Sequence, residues 1–415
     1  MVLRGSIPLR LTVAVCGAVC CALLVTGCAA PPQSAPASPV QASPVQSPTP
    51  LPVSRPRVPD APTAPPGTPP AIAEPQGPLP PALQQAKSRW TPVRWSELPG
   101  FADDTLFEAW NAWLRSCERP GTTFAPLCGD VRRLSIAEPS AQRTWMVERL
   151  QPYRVEPLPG ASAAAAEGLL TGYYEPVLPA TRQSGNGYAT PVYRLPAQWG
   201  ARKPWYTRQE ADTLPEAKAA LRGREIAYLA DPLDALVLQI QGSGRLRVTE
   251  ADGSARTVRV AFAGSNDQPY KSVGRWLLDQ GAVQDASWPG IKAWAQQNPQ
   301  RVQEMLWSNP RLVFFKEEPL SDLDAAFGPR GAQGVALTPG RSIAVDPGSI
   351  PYGTPVWLAS NGPTVRLARL VLAQDTGSAI TGAVRADYFA GWGPDALDVA
   401  GRLKQSLQLW VLWPK

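Results

Sequence analysis

The chain has 415 residues, 44% of them hydrophobic and 15 of them tryptophan, and a formal charge of +6. This length allows two folded domains with a large core, and the absence of any Lys/Arg cluster does not favour nucleic acid as a partner. The sequence contains no histidine, which excludes Ser-His-Asp and Cys-His catalytic machinery and histidine-ligated metal sites, so proton transfer must use Asp, Glu, Lys or Tyr.

Residues 1–27 have the pattern of a secretory signal. Arg4 and Arg10 flank the start of an apolar run, and small residues lead to the junction Gly27-Cys28, which is similar to the cleavage site of bacterial lipoproteins. We therefore expect Cys28 to become the lipid-modified amino terminus. Ala29 follows it instead of an acid, as in lipoproteins that are sorted to the outer membrane and face the periplasm. An acyl chain would anchor the protein without spanning the bilayer.

Residues 28–87 are predicted to form this lipid anchor and a disordered tether. Proline accounts for 19 of the 51 residues from Pro31 to Pro81, and such a composition cannot form a core. At roughly 3 Å per residue in polyproline II, the tether would reach on the order of 100 Å. This reach would let an anchored domain act on a layer away from its membrane.

The folded part is predicted to begin near Ser88 with helical segments. Asp104 is expected to cap a helix in which Leu106, Trp110 and Trp113 share one face. A second amphipathic helix is predicted over residues 140–150.

Cys117 and Cys128 are the only cysteines after Cys28. In an oxidising compartment we expect them to form a disulfide that closes a short loop, which would stabilise the fold by about 3 kcal/mol. A reactive thiol is the less favoured interpretation because the chain has no histidine to activate it.

From Leu169 onward the sequence becomes rich in strand-forming residues and turns. Strands are predicted at residues 169–176, 235–241, 258–262 and 312–315, and helices at residues 266–281 and 289–308. After Gly334 the predicted elements are almost all strands and turns, with strands at residues 342–345, 356–358, 365–368 and 409–412. Short strands at close spacing indicate a small barrel or sandwich.

The stretch 373–389 carries the strongest chemical signal. An apolar strand ends at Asp375, and the glycines of the following turn leave its carboxylate uncovered before the chain reaches Asp387. Tyr388 and Phe389 follow Asp387, and burial by their rings would raise its pKa, as a general acid requires near neutral pH. A surface loop with two solvated acids is the alternative.

Further candidates for substrate contact precede this stretch, and they carry aromatic, amide, hydroxyl or carboxylate groups. They are Tyr173, Tyr174, Glu175, Gln239, Gln241 and Ser243. Such groups suit carbohydrate, whose rings have apolar C–H faces and many hydroxyls, although strand packing is the alternative for each of them. Asp346 is a last candidate, but its position before Pro347 favours a structural role in a loop.

Several motifs in this order resemble the membrane-bound lytic murein transglycosylase A family. The murein-binding insert of that family is similar to residues 171–316, through TGYYEP at 171–176, QGSG at 241–244, YKSVG at 270–274 and VFFK at 313–316. The carboxy-terminal part resembles the three-aspartate domain, whose namesake acids match Asp346, Asp375 and Asp387.

The resemblance implies a mainly β fold with flanking helices. Residues 88–165 and 318–415 would form a double-psi β-barrel, residues 166–317 an inserted murein-binding β domain, and a groove between them would hold a glycan strand. It further implies a lytic exotransglycosylase that cleaves the β-1,4 bond between N-acetylmuramic acid and N-acetylglucosamine without water. The residues suggest no cofactor or metal, because without histidine and with the mature cysteines paired only an oxygen-ligand metal site is conceivable. The catalytic acid of the family matches Asp387, with Asp375 as its neighbour in the groove. Peptidoglycan would be the partner, and cell-wall enzyme complexes are further candidates.

Two other functions remain open from the sequence. Asp375 and Asp387 could be the acid pair of an ordinary muramidase, or the protein could bind glycan without cleaving it. Product analysis separates the first alternative, because a transglycosylase leaves 1,6-anhydromuramoyl ends and a hydrolase leaves reducing ends. Clearing of purified sacculi separates the second.

Overall fold

The computed structural model describes residues 76–415 apart from 162–167 and 363–364. The predictions about the signal segment, about Cys28 and about most of the tether therefore lie outside the described residues. Across the described ranges, none of the helices has the length and apolar character needed to cross a bilayer. Two β-sheets, one of ten strands and one of six, organise this part of the chain.

The strands and helices are numbered here in chain order. The strands are β1 Leu83–Gln84, β2 Ser88–Pro92, β3 Leu150–Pro157, β4 Leu169–Glu175, β5 Val177–Thr181, β6 Thr190–Tyr193, β7 Glu225–Leu229, β8 Ser243–Thr249, β9 Ala255–Ser265, β10 Val313–Pro319, β11 Ser342–Val345, β12 Pro355–Asn361, β13 Arg366–Asp375, β14 Arg385–Trp392, β15 Lys404–Ser406 and β16 Gln408–Pro414. The helices are α1 Phe107–Ser116, α2 Cys128–Arg133, α3 Pro139–Arg149, α4 Arg208–Thr213, α5 Pro215–Leu221, α6 Pro232–Gln241, α7 Val273–Asp279, α8 Trp288–Gln297, α9 Val302–Trp307, α10 Asp322–Ala325 and α11 Gly393–Arg402.

The larger sheet contains a barrel. Its order is β1-β2-β3-β16-β12-β13-β11-β14-β4-β15, and β11 pairs in parallel with β13, as β14 does with β4. The chain passes from β15, which pairs with β4, into β16, which pairs with β12. These two strands therefore act as one bent strand that closes the barrel. The predicted fold class, a double-psi β-barrel with flanking helices and a second β domain, is confirmed.

Strand β13 is buried on both faces, which explains its continuous apolar sequence. Leu370 and Leu372 belong to a core shared with the tryptophans of α1 and α3, whereas Val371 and Ala373 belong to the barrel interior. The strand thus lies between a helical layer and the barrel core. Its last residue is Asp375.

The smaller sheet has the order β10-β9-β8-β5-β7-β6 and spans residues 177–319. Its core is mostly aliphatic, with Val248 and Val258 among its buried members, and it also contains Phe315. The predicted insert, residues 166–317, includes this sheet and also strand β4, and its bounds stay a prediction. Strand β4 belongs to the barrel because its backbone pairs with β14, which places Thr171 opposite Asp387.

Residues 235–241 belong to helix α6, so the predicted strand is wrong. The Asp231 side chain caps this helix by accepting a hydrogen bond from Leu233 N, and Gly242 ends it with φ +79°. The side chains of Leu236 and Leu238 are buried in two different cores. A short apolar run buried on several sides does not distinguish a helix from a strand by its periodicity.

Helix α1 forms as its periodicity predicts, but Asp104 does not cap it. Leu106 occupies the N-cap position with a left-handed backbone. The Asp104 carboxylate instead forms a buried ion pair with Arg341 at 2.7 Å and accepts a hydrogen bond from Leu370 N. It therefore ties the chain before α1 to the barrel. At the other end of this helix, Cys117 and Cys128 are joined by a disulfide bond with their Cα atoms 5.6 Å apart.

Two further helices differ from the sequence-based predictions. The predicted helix at residues 266–281 is shorter, because α7 begins only at Val273, after the cap formed by Ser272. Helix α11 lies in the part of the chain for which almost only strands and turns were predicted. Pro394 stands in its first turn, where proline is compatible with a helix.

Candidate active site

A groove with a volume of about 830 Å³ lies between the barrel and the smaller sheet. The barrel side contributes the loop 329–334, the turn after β13 and both predicted acids. The opposite side contributes the end of α6 with the start of β8, residues 239–243, and side chains from β9 and β10. Residues distant in sequence therefore face one another across a single cleft.

The structure brings Asp375 and Asp387 together at one end of the barrel. Asp375 is the last residue of β13, and Asp387 lies in β14. Strand β11 runs between them, and its Ala344 is paired with both acids. With two strand spacings between them, the backbones of the acids lie about 10 Å apart, and both side chains line the groove.

The Asp387 carboxylate is held by the neighbouring strand β4. Its Oδ1 accepts a hydrogen bond from Thr171 Oγ1 at 2.5 Å, and the same hydroxyl oxygen accepts one from Arg385 Nη2 at 2.8 Å. Burial raises the pKa of Asp387, while the hydrogen bond from Thr171 and the charge of Arg385 partly oppose it. The net raised pKa favours a protonated carboxyl, which is the form that a general acid needs.

The Asp375 carboxylate has different partners. Its Oδ2 accepts a hydrogen bond from the Tyr173 hydroxyl at 2.9 Å, and its Oδ1 accepts one from Ala332 N at 3.0 Å. Burial raises the pKa of Asp375 to about 6, against the lowering effect of its hydrogen bonds, and the charge of Asp387 adds to the rise. The pKa of Tyr173 is well above its usual value, chiefly because of burial, so this hydroxyl remains a donor.

The predicted burial of Asp387 by Tyr388 and Phe389 is wrong for Tyr388. Successive side chains of a strand point to opposite faces, and the Tyr388 hydroxyl donates to the Gly340 carbonyl on the other side, at 2.9 Å. The Phe389 ring packs on Tyr173 with centroids 5.2 Å apart. The hydrogen-bond partners of the Asp387 side chain come from β4, through Thr171.

Four of the other predicted residues line the groove: Tyr173, Gln239, Gln241 and Ser243. The Gln239 side-chain oxygen accepts a hydrogen bond from Arg208 at 2.7 Å. The Gln241 side-chain oxygen accepts one from Tyr174 N at 3.0 Å. The side-chain oxygens of both glutamines thus accept hydrogen bonds from the protein. Their NH₂ groups remain as the donors available to a ligand.

Tyr174 and Glu175 do not face the groove, so their predicted contact with substrate is wrong. Tyr174 is buried between α6 and α11. Glu175 is fully buried between Arg245 and Arg259, at 2.8 and 2.7 Å. A buried carboxylate requires such partners because its isolated charge would be strongly unfavourable.

Asp346 also lies outside the groove lining, so its inclusion among the substrate-binding candidates is a further error. Its Oδ2 pairs with Lys87 Nζ at 2.8 Å and accepts a hydrogen bond from Gly382 N, also at 2.8 Å. Although burial opposes the change, these contacts leave the pKa of Asp346 lowered. The residue fixes the turn between Asp375 and Asp387.

Several residues of the site were missed as candidates. Thr171 donates to Asp387, and Arg385 donates to Thr171; only the strand register brings these residues together. Phe262 is 51% exposed and Tyr270 is 39% exposed, and both line the groove. The sequence placed Phe262 in a half-buried strand. The pairing of β9 with β10 shifts register beside Phe262, and its side chain is exposed in the groove. Within the described ranges, no group of three or more His, Cys, Asp or Glu side chains could hold a metal ion.

Family models match two parts of the chain. The model described as the MltA specific insert domain matches residues 169–316, and the model described as the 3D domain matches residues 341–413. Membrane-bound lytic murein transglycosylase A of Vibrio cholerae is 32% identical over 254 residues, which are 59% of this chain and 65% of the relative. The match thus spans slightly less than two thirds of that relative's length.

Solved structures of similar proteins cover more of the chain. The lytic transglycosylase LtgG of Burkholderia pseudomallei is 44% identical, with 81% of this chain and 98% of that chain covered and a TM-score of 0.54. MltA from Neisseria gonorrhoeae is 28% identical, with 81% and 96% covered and a TM-score of 0.67. The similarity therefore includes both the barrel and the smaller sheet.

Proposed function

The chain belongs to the membrane-bound lytic murein transglycosylase A family, and on that premise we propose that it cleaves peptidoglycan glycan strands without water. The bond broken would be the β-1,4 link between N-acetylmuramic acid and N-acetylglucosamine, and the product would carry a 1,6-anhydromuramoyl end. The observation that carries this proposal is the pair of half-buried carboxyls, Asp375 and Asp387, with raised pKa values in one open groove.

Asp387 is the proposed general acid. In its neutral form it donates a proton to the glycosidic oxygen as the bond to C1 of the muramic sugar breaks. The N-acetylglucosamine part leaves as an alcohol, and positive charge develops on C1 and the ring oxygen. The Thr171 hydroxyl orients the acid and can donate to the carboxylate that remains.

The same carboxylate then acts as the base. It takes the proton from the C6 hydroxyl of the muramic sugar while that oxygen forms a bond to C1, which closes the anhydro ring and restores neutral Asp387. An attacking group in the same molecule has a very high effective concentration, so no second carboxylate is needed to activate water. Above pH about 6 the ionised Asp375 would stabilise the developing positive charge.

The groove wall formed by the smaller sheet domain suits a sugar polymer. The exposed rings of Phe262 and Tyr270 offer apolar surfaces for sugar faces, and the amides of Gln239 and Gln241 offer hydrogen-bond donors. The smaller sheet domain, residues 177–319, would thus act as the murein-binding wall opposite the catalytic barrel.

We further propose that Cys28 is lipid-modified after removal of residues 1–27. The lipid would anchor the protein on the periplasmic face of the outer membrane, and the proline-rich segment would carry the enzyme toward the peptidoglycan layer. The Vibrio cholerae relative is named as membrane-bound, which supports association with a membrane. Cell-wall enzyme complexes are candidate partners.

The decisive experiment is the substitution Asp387→Asn. We expect it to abolish clearing of purified sacculi and release of anhydromuropeptides, measured by mass spectrometry, while binding to sacculi persists. Asp398→Asn is the matched control, because Asp398 is exposed on α11 away from the groove, and it should behave like the parent. Clearing by the Asp387 variant at the parental rate would refute the assignment of the acid. Products with reducing ends would instead favour hydrolysis.

A further inference from the structure

The groove lining carries more positive than negative charge. Six Lys or Arg side chains line it, namely Arg119, Arg208, Arg311, Lys316, Arg330 and Arg385. Three acids share the lining, namely Glu318, Asp375 and Asp387. Glu318 already pairs with Lys316 at 2.7 Å, and the other two acids have raised pKa values. The groove therefore has cations available for an anionic ligand.

Arg119 and Arg330 are the cations best placed to take such a ligand. Arg208 is buried and donates to the carbonyl of Asn309, and Arg385 is held by Thr171. Arg119 and Arg330 are both exposed, and within the described part of the chain neither has a carboxylate partner. Their charges face the groove without compensation.

The two guanidinium groups converge on Gly334. Arg330 Nη1 donates to the Gly334 carbonyl at 3.2 Å. Arg119 lies so close to the same residue that a Cβ added to Gly334 would be 2.9 Å from its Nη1. Gly334 has φ +85°, a conformation that glycine adopts without strain. A glycine at this position thus allows both arginines to approach one point.

The loop that contains Gly334 also binds Asp375. Ala332, whose N–H donates to Asp375, is two residues from Arg330 and two from Gly334, a chain distance of at most about 7 Å. The Gln333 side chain donates to the carbonyls of Ser116 and Arg119 at 3.3 and 3.2 Å. The loop and the backbone of Arg119 are therefore held together beside the acid pair.

We propose that Arg119 and Arg330 form a carboxylate-binding site on the barrel side of the groove. This inference rests on the proposed function, in which the groove holds a strand whose muramic sugars carry an acidic substituent. That substituent is a free lactate carboxylate when the sugar bears no peptide, and a peptide with its own carboxylates when it does. Guanidinium groups bind carboxylates through paired N–H donors, so the site selects acidic strands over neutral ones.

Binding measurements in the Asp387→Asn background test the site without cleavage of the ligand. Three ligands are compared: a neutral chitooligosaccharide, murein strands stripped of peptide, and murein strands that retain it. We expect Arg119→Gln and Arg330→Gln each to lower affinity about tenfold for at least one kind of acidic strand, and to leave the neutral ligand unaffected. The dependence of affinity on salt should also become shallower. The strand that loses affinity identifies the source of the carboxylate.

Arg222→Gln is the matched control, since Arg222 is exposed and does not line the groove. Arg119→Lys and Arg330→Lys keep the charge but lose the paired donors, and thermal melting of every variant checks its fold. Unchanged affinity of both Gln variants for all three ligands overturns the site, and so does an equal loss for neutral and acidic ligands. If the background protein binds neither kind of murein strand, the proposed function fails and this inference fails with it. The two failures are distinguishable. If only the carboxylate site is wrong, the background protein still binds murein strands, whereas failure of the proposed function abolishes this binding.

Discussion

Asp375 and Asp387 share the groove but differ in the groups that hold them. Asp387 contacts a hydroxyl that is itself bound by a cation, whereas Asp375 contacts a phenol and a backbone amide. The Thr171 hydroxyl can donate to the carboxylate that forms after proton transfer. Asp387 is therefore suited to cycle between its two protonation states. Asp375 has donors on both oxygens and, in its ionised form, suits an electrostatic role.

Thr171→Val tests the coupling between the hydroxyl and Asp387. The hydrogen bond from Thr171 lowers the pKa of Asp387, so its removal should raise that pKa further. In the proposed mechanism the protonated form is the active acid, so activity should be lost as pH rises through its pKa. We therefore expect the alkaline limb of the pH–rate profile to move to higher pH, with kcat reduced several-fold because the carboxyl is less well oriented.

Thr171→Ser is the control for this prediction, since it keeps the hydroxyl and should retain the parental profile. The measurement is the rate of anhydromuropeptide release across pH. An alkaline limb that stays in place, or moves to lower pH, in Thr171→Val would contradict the coupling.

Asp375→Asn tests the raised pKa of Asp375 through stability. The folded chain holds this proton up to pH about 6, whereas the usual pKa is 3.8. The folded state therefore binds more protons between these values, and ionisation reduces stability as pH rises through this window. The variant lacks this loss, so its free energy of unfolding relative to the parent should increase by about 2 kcal/mol between pH 4 and pH 7. Urea denaturation at both pH values measures this change. If the free energies of unfolding of variant and parent differed by the same amount at both pH values, the raised pKa of Asp375 would be refuted.

At the scale of elements, the ion cluster around Glu175 joins the two walls of the groove. Glu175 ends the barrel strand β4, whereas Arg245 and Arg259 belong to β8 and β9 of the smaller sheet. Both arginines also donate to the Phe327 carbonyl, in the segment that leads back to the barrel. This polar cluster therefore connects strands of both sheets at a buried point.

Glu175→Ala should be strongly destabilising. It leaves two buried guanidinium groups without their counter-ion, and breaking a buried pair in this way costs about 3–5 kcal/mol. Equilibrium denaturation measures the loss. Glu304→Ala is the control, because Glu304 forms an exposed pair with Arg301 within one helical turn and should change stability little. Equal effects of the two substitutions would show that the cluster has no special role.

At the scale of the whole molecule, the proposed function depends on a groove that two remote parts of the chain build together. The barrel supplies the acids, and the smaller sheet domain supplies Phe262 and the α6 amides. The segment before residue 76 is expected to deliver this groove to its polymer. In the proposed function, binding, cleavage and delivery would thus belong to different parts of the chain.

Cys28→Ser tests the proposed anchor. Without the thiol that carries the lipid, we expect the protein to move from the membrane fraction to the soluble fraction of cells, as seen by fractionation and immunoblotting. The purified variant should still clear isolated sacculi at the parental rate, because the groove is unchanged. Retention in the membrane fraction would argue against lipidation at Cys28.

The sequence by itself determined the family, the mainly β fold class and the two acids, because these depend on local motifs and on strands whose apolar pattern is continuous. Tertiary structure alone decided which side chains surround the acids. Thr171 meets Asp387 across 216 residues of chain, and Tyr173 meets Asp375 across 202, through a parallel strand register that no local pattern encodes. Tertiary structure also decided the role of Glu175. In the sequence, an acid beside paired tyrosines indicates a sugar contact, but in the fold two arginines of the other sheet pair with this acid and bury it. Packing also made a helix of the apolar run at residues 235–241, because burial on several sides removes the periodicity by which sequence distinguishes helices from strands.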